Sequence, residues 1–304
     1  MSRIHDALKK AAEEKTSRGA VGSTQDFLDV EGDLPRLADL TDTAQEGAPS
    51  AVRQVNTQLQ LRFNELVKRC SHPGWNPDPR LNIFRNGDKE KSGAESFRTL
   101  RSRLHQIAST RTLKRILVTS SVPAEGKTFV AANLASSIIR QPDRRVLLID
   151  ADLRASRLHL AFGAPRTPGL TEYLRGEADE YSVIQSATDE NLCLIAGGGE
   201  VANPSELLMS ERMKHLLDLA TPVFDYVILD SPPAIPVHDP SLLADFCDGT
   251  LFVVRAGVSE FDVVSRAAAE FEGKNLIGVV LNGVGPEAMY GQYYASSYGA
   301  NSDR

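Results

Sequence analysis

From residue 116 onward the chain repeats short runs of Val, Ile and Leu with no polar alternation: residues 116–119, Val146–Asp150, 192–196, Tyr226–Asp230, 250–255 and 276–281. A strand that is apolar at every position has both faces covered, and the stretches between these runs carry helical spacing. The pattern therefore predicts an α/β fold, a doubly wound, mostly parallel sheet with helices on both sides. In such sheets ligands gather at the carboxyl ends of the strands.

The pattern upstream is different. Residues 2–15 place Ile4, Ala7, Leu8, Ala11 and Ala12 on one face of a short amphipathic helix, with Lys and Glu opposite. Only two of those residues are large, which suits docking on a partner or on the protein's own body better than a membrane surface. Residues 16–50 turn to Gly, Ser, Thr, Asp and Glu without periodicity and read as a flexible linker. Helical or mixed patterning returns over 51–70, and the Pro-rich stretch 71–80 breaks it. That break is taken as a domain boundary, giving an N-terminal region 1–80 and a main domain 81–304 that ends in a tail from about residue 286. Residues 93–110 predict a helix with Phe97, Leu100, Leu104 and Ile107 as its apolar stripe and with Glu95, Arg98 and Arg101 spaced three apart along one ridge. Spacing alone gives that ridge as a salt-bridged, solvated face.

Composition bounds the classes. With 304 residues, 41% hydrophobic and 24% charged, the chain can bury one large core and carry something smaller beside it. A net charge of −6 argues against nucleic acid as the main partner. Cys70, Cys193 and Cys247 match no metal-ligand spacing and are expected as reduced packing residues. No apolar run reaches the ~18 to 20 residues of a membrane span and no signal-peptide core opens the chain, so a cytoplasmic location is expected.

The candidate chemistry follows the first buried run. Ser121, Val122, Pro123, Ala124, Glu125, Gly126, Lys127, Thr128 and Phe129 link a predicted strand to an Ala-rich helix. The stretch fits G-x-x-x-x-G-K-[ST] except that Ser121 stands where the first Gly belongs. Such a turn aims backbone N–H groups and a helix N-terminus at one spot, with Lys127 for the terminal phosphates of a nucleoside triphosphate and the Thr128 hydroxyl for Mg²⁺. Taken alone, an ordinary glycine turn followed by a solvated lysine stays open. Two later strands end in acid, as LLID-Ala151-Asp152-Leu153-Arg154 and VILD-Ser231-Pro232-Pro233, so Asp150, Asp152 and Asp230 converge on the same sheet edge. Three acids beside a phosphate loop suit Mg²⁺ and general-base work better than helix capping.

The set SSVPAEGKT, LLIDADLR and VILDSPP resembles the Walker A, Walker A′ and Walker B motifs of the bacterial tyrosine kinases, the BY-kinases that regulate capsule and exopolysaccharide synthesis. Asn203-Pro-Ser-Glu-Leu-Leu208, the ridge Glu95-x2-Arg98-x2-Arg101 and a C-terminal cluster of Tyr290, Tyr293, Tyr294 and Tyr298 follow in the family's pattern. The resemblance covers the chain from about residue 81 to its end. It implies a P-loop NTPase fold of the Min/Par type and an ATP- and Mg²⁺-dependent tyrosine autokinase. Lys127 is expected on the transferring phosphate, Thr128, Asp152 and Asp230 at the metal, Arg154 in the charge balance, and Asp150 as the base with Asp152 the alternative. The tail tyrosines become the phosphoacceptors, and Glu95, Arg98 and Arg101 become subunit contacts in a homo-oligomeric ring, for which an octamer is the size considered.

Further partners implied are a separate inner-membrane activator of the polysaccharide co-polymerase kind, which would hold the chain at the inner membrane, and a tyrosine phosphatase. The family usually has Gly where this chain has Ala124, so if that position needs φ > 0 the alanine costs on the order of 1 kcal/mol. Two other readings share the three motifs: a Min/Par-like ATPase driving ATP-dependent dimerisation and positioning, and a nucleotide-binding scaffold of the polysaccharide machinery.

Overall fold

The computed structural model describes residues 62–85, 92–186 and 191–285; the segment 2–15, the linker 16–50 and the tyrosines of the tail lie outside them. Seven strands form one sheet: β1 (Arg115–Ser120), β2 (Val146–Asp150), β3 (Gln185–Ser186), β4 (Leu192–Ile195), β5 (Tyr226–Asp230), β6 (Gly249–Arg255) and β7 (Leu276–Asn282). Their order is β3-β4-β2-β5-β1-β6-β7, and every pairing is parallel except that of the two-residue β3 with β4. All six expected runs are strands. The short β3 carries no readable pattern of its own.

The uniform apolarity of the strands has the expected cause. Along β2, Leu147 and Ile149 enter one core while Val146 and Leu148 enter the other, and β1 divides in the same way between Leu117 and the pair Ile116 and Val118. On the Leu117 side the sheet is covered by α7 (Glu211–Ala220) and α9 (Phe261–Ala269), through Met213, Leu216, Leu217, Val264 and Ala267. On the other side it is covered by α2 (Lys127–Ile138), with α1 (Ser92–Thr110) packed outside through Phe97 and Leu104. Shorter helices complete the connections: α3 (Leu158–Phe162), α4 (Leu170–Arg175), α5 (Glu180–Val183), α6 (Pro204–Leu208) and α8 (Asp239–Ala244).

Helix α2 is buried all the way from Val130 to Ile138, polar residues included. Asn133 accepts the Ile83 N–H at 2.9 Å and donates to the Leu81 carbonyl at 2.8 Å, while Asn82 donates to Ser136 Oγ at 3.1 Å. These bonds pin residues 81–84 onto the helix that starts at the phosphate loop. Further upstream, Phe63 and Cys70 are core residues, Phe63 meets Phe224 edge-on, Trp75 lies 5.3 Å from Phe162, and Ser71 bridges to Gln185. The Pro-rich stretch thus interrupts regular structure without interrupting packing, and the packed body takes in residues 62–80 as well. Proline removes backbone donors, which says nothing about where the apolar side chains go.

Candidate active site

The parallel register sets Asp150 directly beside Asp230, and Asp230 beside Val118 of β1. The carboxyl ends of three neighbouring strands therefore deliver the phosphate loop and both acid-bearing turns to one place. Gly126 caps α2 at φ 97, a left-handed conformation that favours glycine, and a Cβ there would also displace the Asn282 amide, 2.0 Å away. Ala124 also sits in the left-handed region, at φ 66. The conditional cost attached to its missing glycine therefore applies, about 1 kcal/mol of backbone strain.

Lys127 Nζ lies 3.0 Å from Asp152 Oδ2, and the Ala155 N–H donates to Asp152 Oδ1 at 3.0 Å. Burial works against the lysine's charge, but Asp230, Asp152 and Asp150 together outweigh it and hold its pKa above the ordinary lysine value. Asp150 is fully buried. Its Oδ2 accepts Ser156 Oγ at 2.7 Å and the Leu158 N–H at 3.0 Å, while Oδ1 holds only a longer bond, 3.2 Å, from the Asp152 N–H. Burial pushes its carboxyl up to about 6. Asp230 differs from both: it is buried, and neither carboxylate oxygen has a hydrogen-bond partner. Burial pushes it up to about 8, with Lys127 pulling the other way and the Asp150 charge adding to the rise; the Thr128 hydroxyl, close by but outside hydrogen-bond geometry, also favours its ionised form.

Buried carboxylates are normally paired, and the two Asp230 oxygens without a partner are open to a cation. The donor set is all oxygen, which suits Mg²⁺. Among the described residues no group of three or more His, Cys, Asp or Glu could hold a metal by itself. Mg²⁺ does not require one, because it keeps several waters and takes one or two carboxylates plus substrate phosphates. Asp230, Asp152 and the Thr128 hydroxyl fit that demand.

Two of the expected site arginines are held by other parts of the fold. Arg154 has partners of its own: Nε bonds Asp239 Oδ2 at 2.8 Å and Nη2 bonds Ser205 Oγ at 3.0 Å, tying the loop after β2 to α6 and α8, while the charge of Asp152 still acts on it. A buried carboxylate at Asp239 is the stronger attraction, and motif spacing could not show it. The Glu95, Arg98 and Arg101 ridge also divides. Arg98 pairs with Glu95 at 3.0 Å on the exposed face, but Arg101 turns inward and donates to the Ser137 carbonyl at 2.6 Å, at the end of α2. Residues three apart form a ridge inclined to the helix axis, so over ~120° of turn it runs from the exposed Glu95–Arg98 pair down to Arg101 against α2.

Phe129 packs on Phe97, 5.9 Å away, and so belongs to the α1 contact, while Pro123 and Ala124 are exposed at the loop tip. Tyr173 and Tyr226 are core residues. Several supporting residues had no signal in the sequence: Ser156, which holds Asp150, and Arg255, Ser259 and Asn282, which reach the phosphate loop from the ends of β6 and β7. Asn282 at a strand's end, in line with the two Asp-ended strands, was the one that could have been suspected. Among the described residues no helix is long and apolar enough to cross a membrane.

Comparison with known proteins agrees with this geometry. Residues 116–297 match the CobQ/CobB/MinD/ParA nucleotide binding domain. The tyrosine-protein kinase YwqD of Bacillus subtilis is 33% identical over 216 residues, covering 70% of this chain and 91% of that protein. The tyrosine-protein kinase etk of Escherichia coli K12 is 38% identical over 195 residues, covering 64% of this chain but only 27% of the longer relative. The solved kinase domain of Escherichia coli ETK superposes with a TM-score of 0.62 at 37% identity, over 65% of this chain and 78% of that one. The fold is thus shared with the solved kinase domain, and the chain belongs to the bacterial tyrosine-protein kinases, on a nucleotide-binding domain of the CobQ/CobB/MinD/ParA type.

Proposed function

We propose that the chain is an ATP- and Mg²⁺-dependent protein-tyrosine autokinase acting in exopolysaccharide or capsule synthesis and export. The observation that carries the reading is Asp230, a buried carboxylate with both oxygens unpartnered beside Lys127 at the phosphate loop. Thr128, Asp152 and Asp230 would hold Mg²⁺, which neutralises phosphate charge during transfer. Lys127 exchanges Asp152 for the phosphoryl group. Asp150 takes the proton of the attacking tyrosine hydroxyl through Oδ1, the oxygen with the weaker bond, and its pKa near 6 suits a base at neutral pH. The tyrosine oxygen bonds to the terminal phosphorus as the bond to ADP breaks. Because Asp150 is enclosed, the loop after β2 must part to admit the tyrosine; Asp152 is the alternative base. Positioning and charge neutralisation supply the rest.

The acceptors are Tyr290, Tyr293, Tyr294 and Tyr298. From Asn282 the chain to Tyr298 can extend roughly 55 Å, enough to reach a neighbouring copy's site. Transfer runs in trans within a homo-oligomeric ring that uses the exposed Glu95 and Arg98, and each phosphotyrosine adds about −1.5 to −2 charges that weaken packing between acidic copies. A membrane-bound activator and a tyrosine phosphatase complete the system. Ala124 at φ 66 favours the second reading, a scaffold with weakened nucleotide binding.

The test is an anti-phosphotyrosine blot of the purified protein with ATP and Mg²⁺, with EDTA, and as Asp230→Asn, followed by mass spectrometry of the tail. Phosphotyrosine on the tail, lost in both controls, is expected. No phosphotyrosine in a protein that still binds ATP overturns the kinase reading in favour of the scaffold or a Min/Par-like ATPase.

A further inference from the structure

The phosphate loop lacks two of the residues that would let it curl freely. Ser121 occupies the place of its first glycine, and Ala124 adopts φ 66 without being one. Its curvature is held from inside by a carboxylate. Glu125 is 2% exposed, and its Oε2 accepts both Ser121 Oγ at 2.7 Å and the Val122 N–H at 2.8 Å. Oε1 accepts the hydroxyl of Ser259, from the turn between β6 and α9. A negative charge buried in an anion-binding loop works against phosphate, and three donors on its two oxygens offset that cost.

The outside of the same turn is held by two residues that stand side by side where β6 and β7 end. Arg255 Nη1 donates to the Ala124 carbonyl at 3.2 Å, and Asn282 Nδ2 donates to the Glu125 carbonyl at 2.9 Å. Residues 121–126 are therefore fixed at both ends of Glu125, through its side chain and its backbone, to the ends of the neighbouring strands β6 and β7.

We propose that Glu125 is the positioning residue of the phosphate loop: its carboxylate draws Ser121 and Val122 into the turn, supplying the curvature a first glycine supplies in the general motif, and anchors that turn to Ser259. The inference rests on reading this loop as the nucleotide site. Glu125 acts on the loop and not on reacting atoms, so its loss falls on nucleotide affinity, and a glycine restored at 121 relieves part of that loss.

Isothermal titration of the full chain with ADP, with circular dichroism to confirm folding, tests this on four variants. Glu125→Ala should weaken ADP binding roughly tenfold or more, since three hydrogen bonds are lost together. Ser259→Ala should weaken it a few-fold, and Glu125→Gln should fall between, because the amide keeps one acceptor oxygen. Adding Ser121→Gly to Glu125→Ala should recover at least half of the lost affinity on a logarithmic scale, which a residue that merely stabilised the fold would not show. A folded Glu125→Ala protein that binds ADP as wild type does, or one that Ser121→Gly fails to rescue, overturns the inference alone. Should Glu125→Ala not fold, unchanged affinity in both Ser259→Ala and Glu125→Gln overturns it. Wild type that binds no ADP overturns the nucleotide-site reading and this inference with it.

Discussion

Replacing Lys127 by Met is the obvious way to silence the site, and the structure predicts that it also weakens the fold. The Lys127 side chain is 14% exposed and that of its partner Asp152 3%, so the pair lies at the buried end of the range. Breaking such a pair by removing one member costs ~3–5 kcal/mol, because the other charge is left uncompensated. Two effects reduce that figure: Asp152 keeps the Ala155 N–H, and the remaining carboxylates can protonate. The expected loss for the nucleotide-free protein is about 2–4 kcal/mol at pH 7.

The pH dependence has a definite sign. Without the lysine, the folded-state pKa values of Asp150 and Asp230, already pushed up to about 6 and about 8, rise further above their unfolded values. The folded state then binds more protons than the unfolded one, so stability is greatest in acid and falls as pH rises through those values. Urea denaturation at pH 5 and pH 8 should show a smaller loss at the lower pH. The double variant Lys127→Met, Asp152→Asn should recover at least half of the loss at pH 7. A Lys127→Met protein within about 0.5 kcal/mol of wild type at pH 8 would refute the reasoning, since surface substitutions fall in that range.

Asp230→Asn should do the opposite, stabilising the nucleotide-free protein by about 1–3 kcal/mol at pH 7 because an unpartnered buried carboxyl is replaced by a neutral amide, while abolishing tyrosine phosphorylation; urea titration and the phosphotyrosine blot read the two effects. Ala124→Gly should add about 0.5–1 kcal/mol of stability by relieving the left-handed alanine, the net of strain and unfolded-chain entropy, and chemical denaturation would show it. Arg101→Ala should cost about 1–3 kcal/mol by leaving the Ser137 carbonyl unpaired, whereas Arg98→Ala should leave stability within about 0.5 kcal/mol and lower the mass seen by light scattering. Equal mass for wild type and Arg98→Ala would reduce the Glu95–Arg98 pair to a solvated helix contact.

The sheet was legible in the sequence because a strand buried on both faces has no polar position to confuse the reading, and Val146–Asp150 and Tyr226–Asp230 show it in five residues each. The phosphate loop and the two acid-ended strands were legible because their chemistry depends on residue type at fixed spacing: Lys127 and Thr128 must open a helix, and Asp150 and Asp230 must close strands. Charged side chains with several partners in reach were not. Arg154 found the buried Asp239, 85 residues away, and Arg101 found the end of α2; both choices depend on which carboxylate or carbonyl the fold brings within a few ångströms. The same is true of the Pro-rich stretch 71–80, whose Trp75 packs on Phe162 although nothing local demands it. Glu125 is the sharpest case. Its place in the motif comes from the sequence, but only the folded chain brings Ser259 to its carboxylate and Asn282 to its carbonyl, because those residues reach the loop from the strands paired beside β1 and not along the chain.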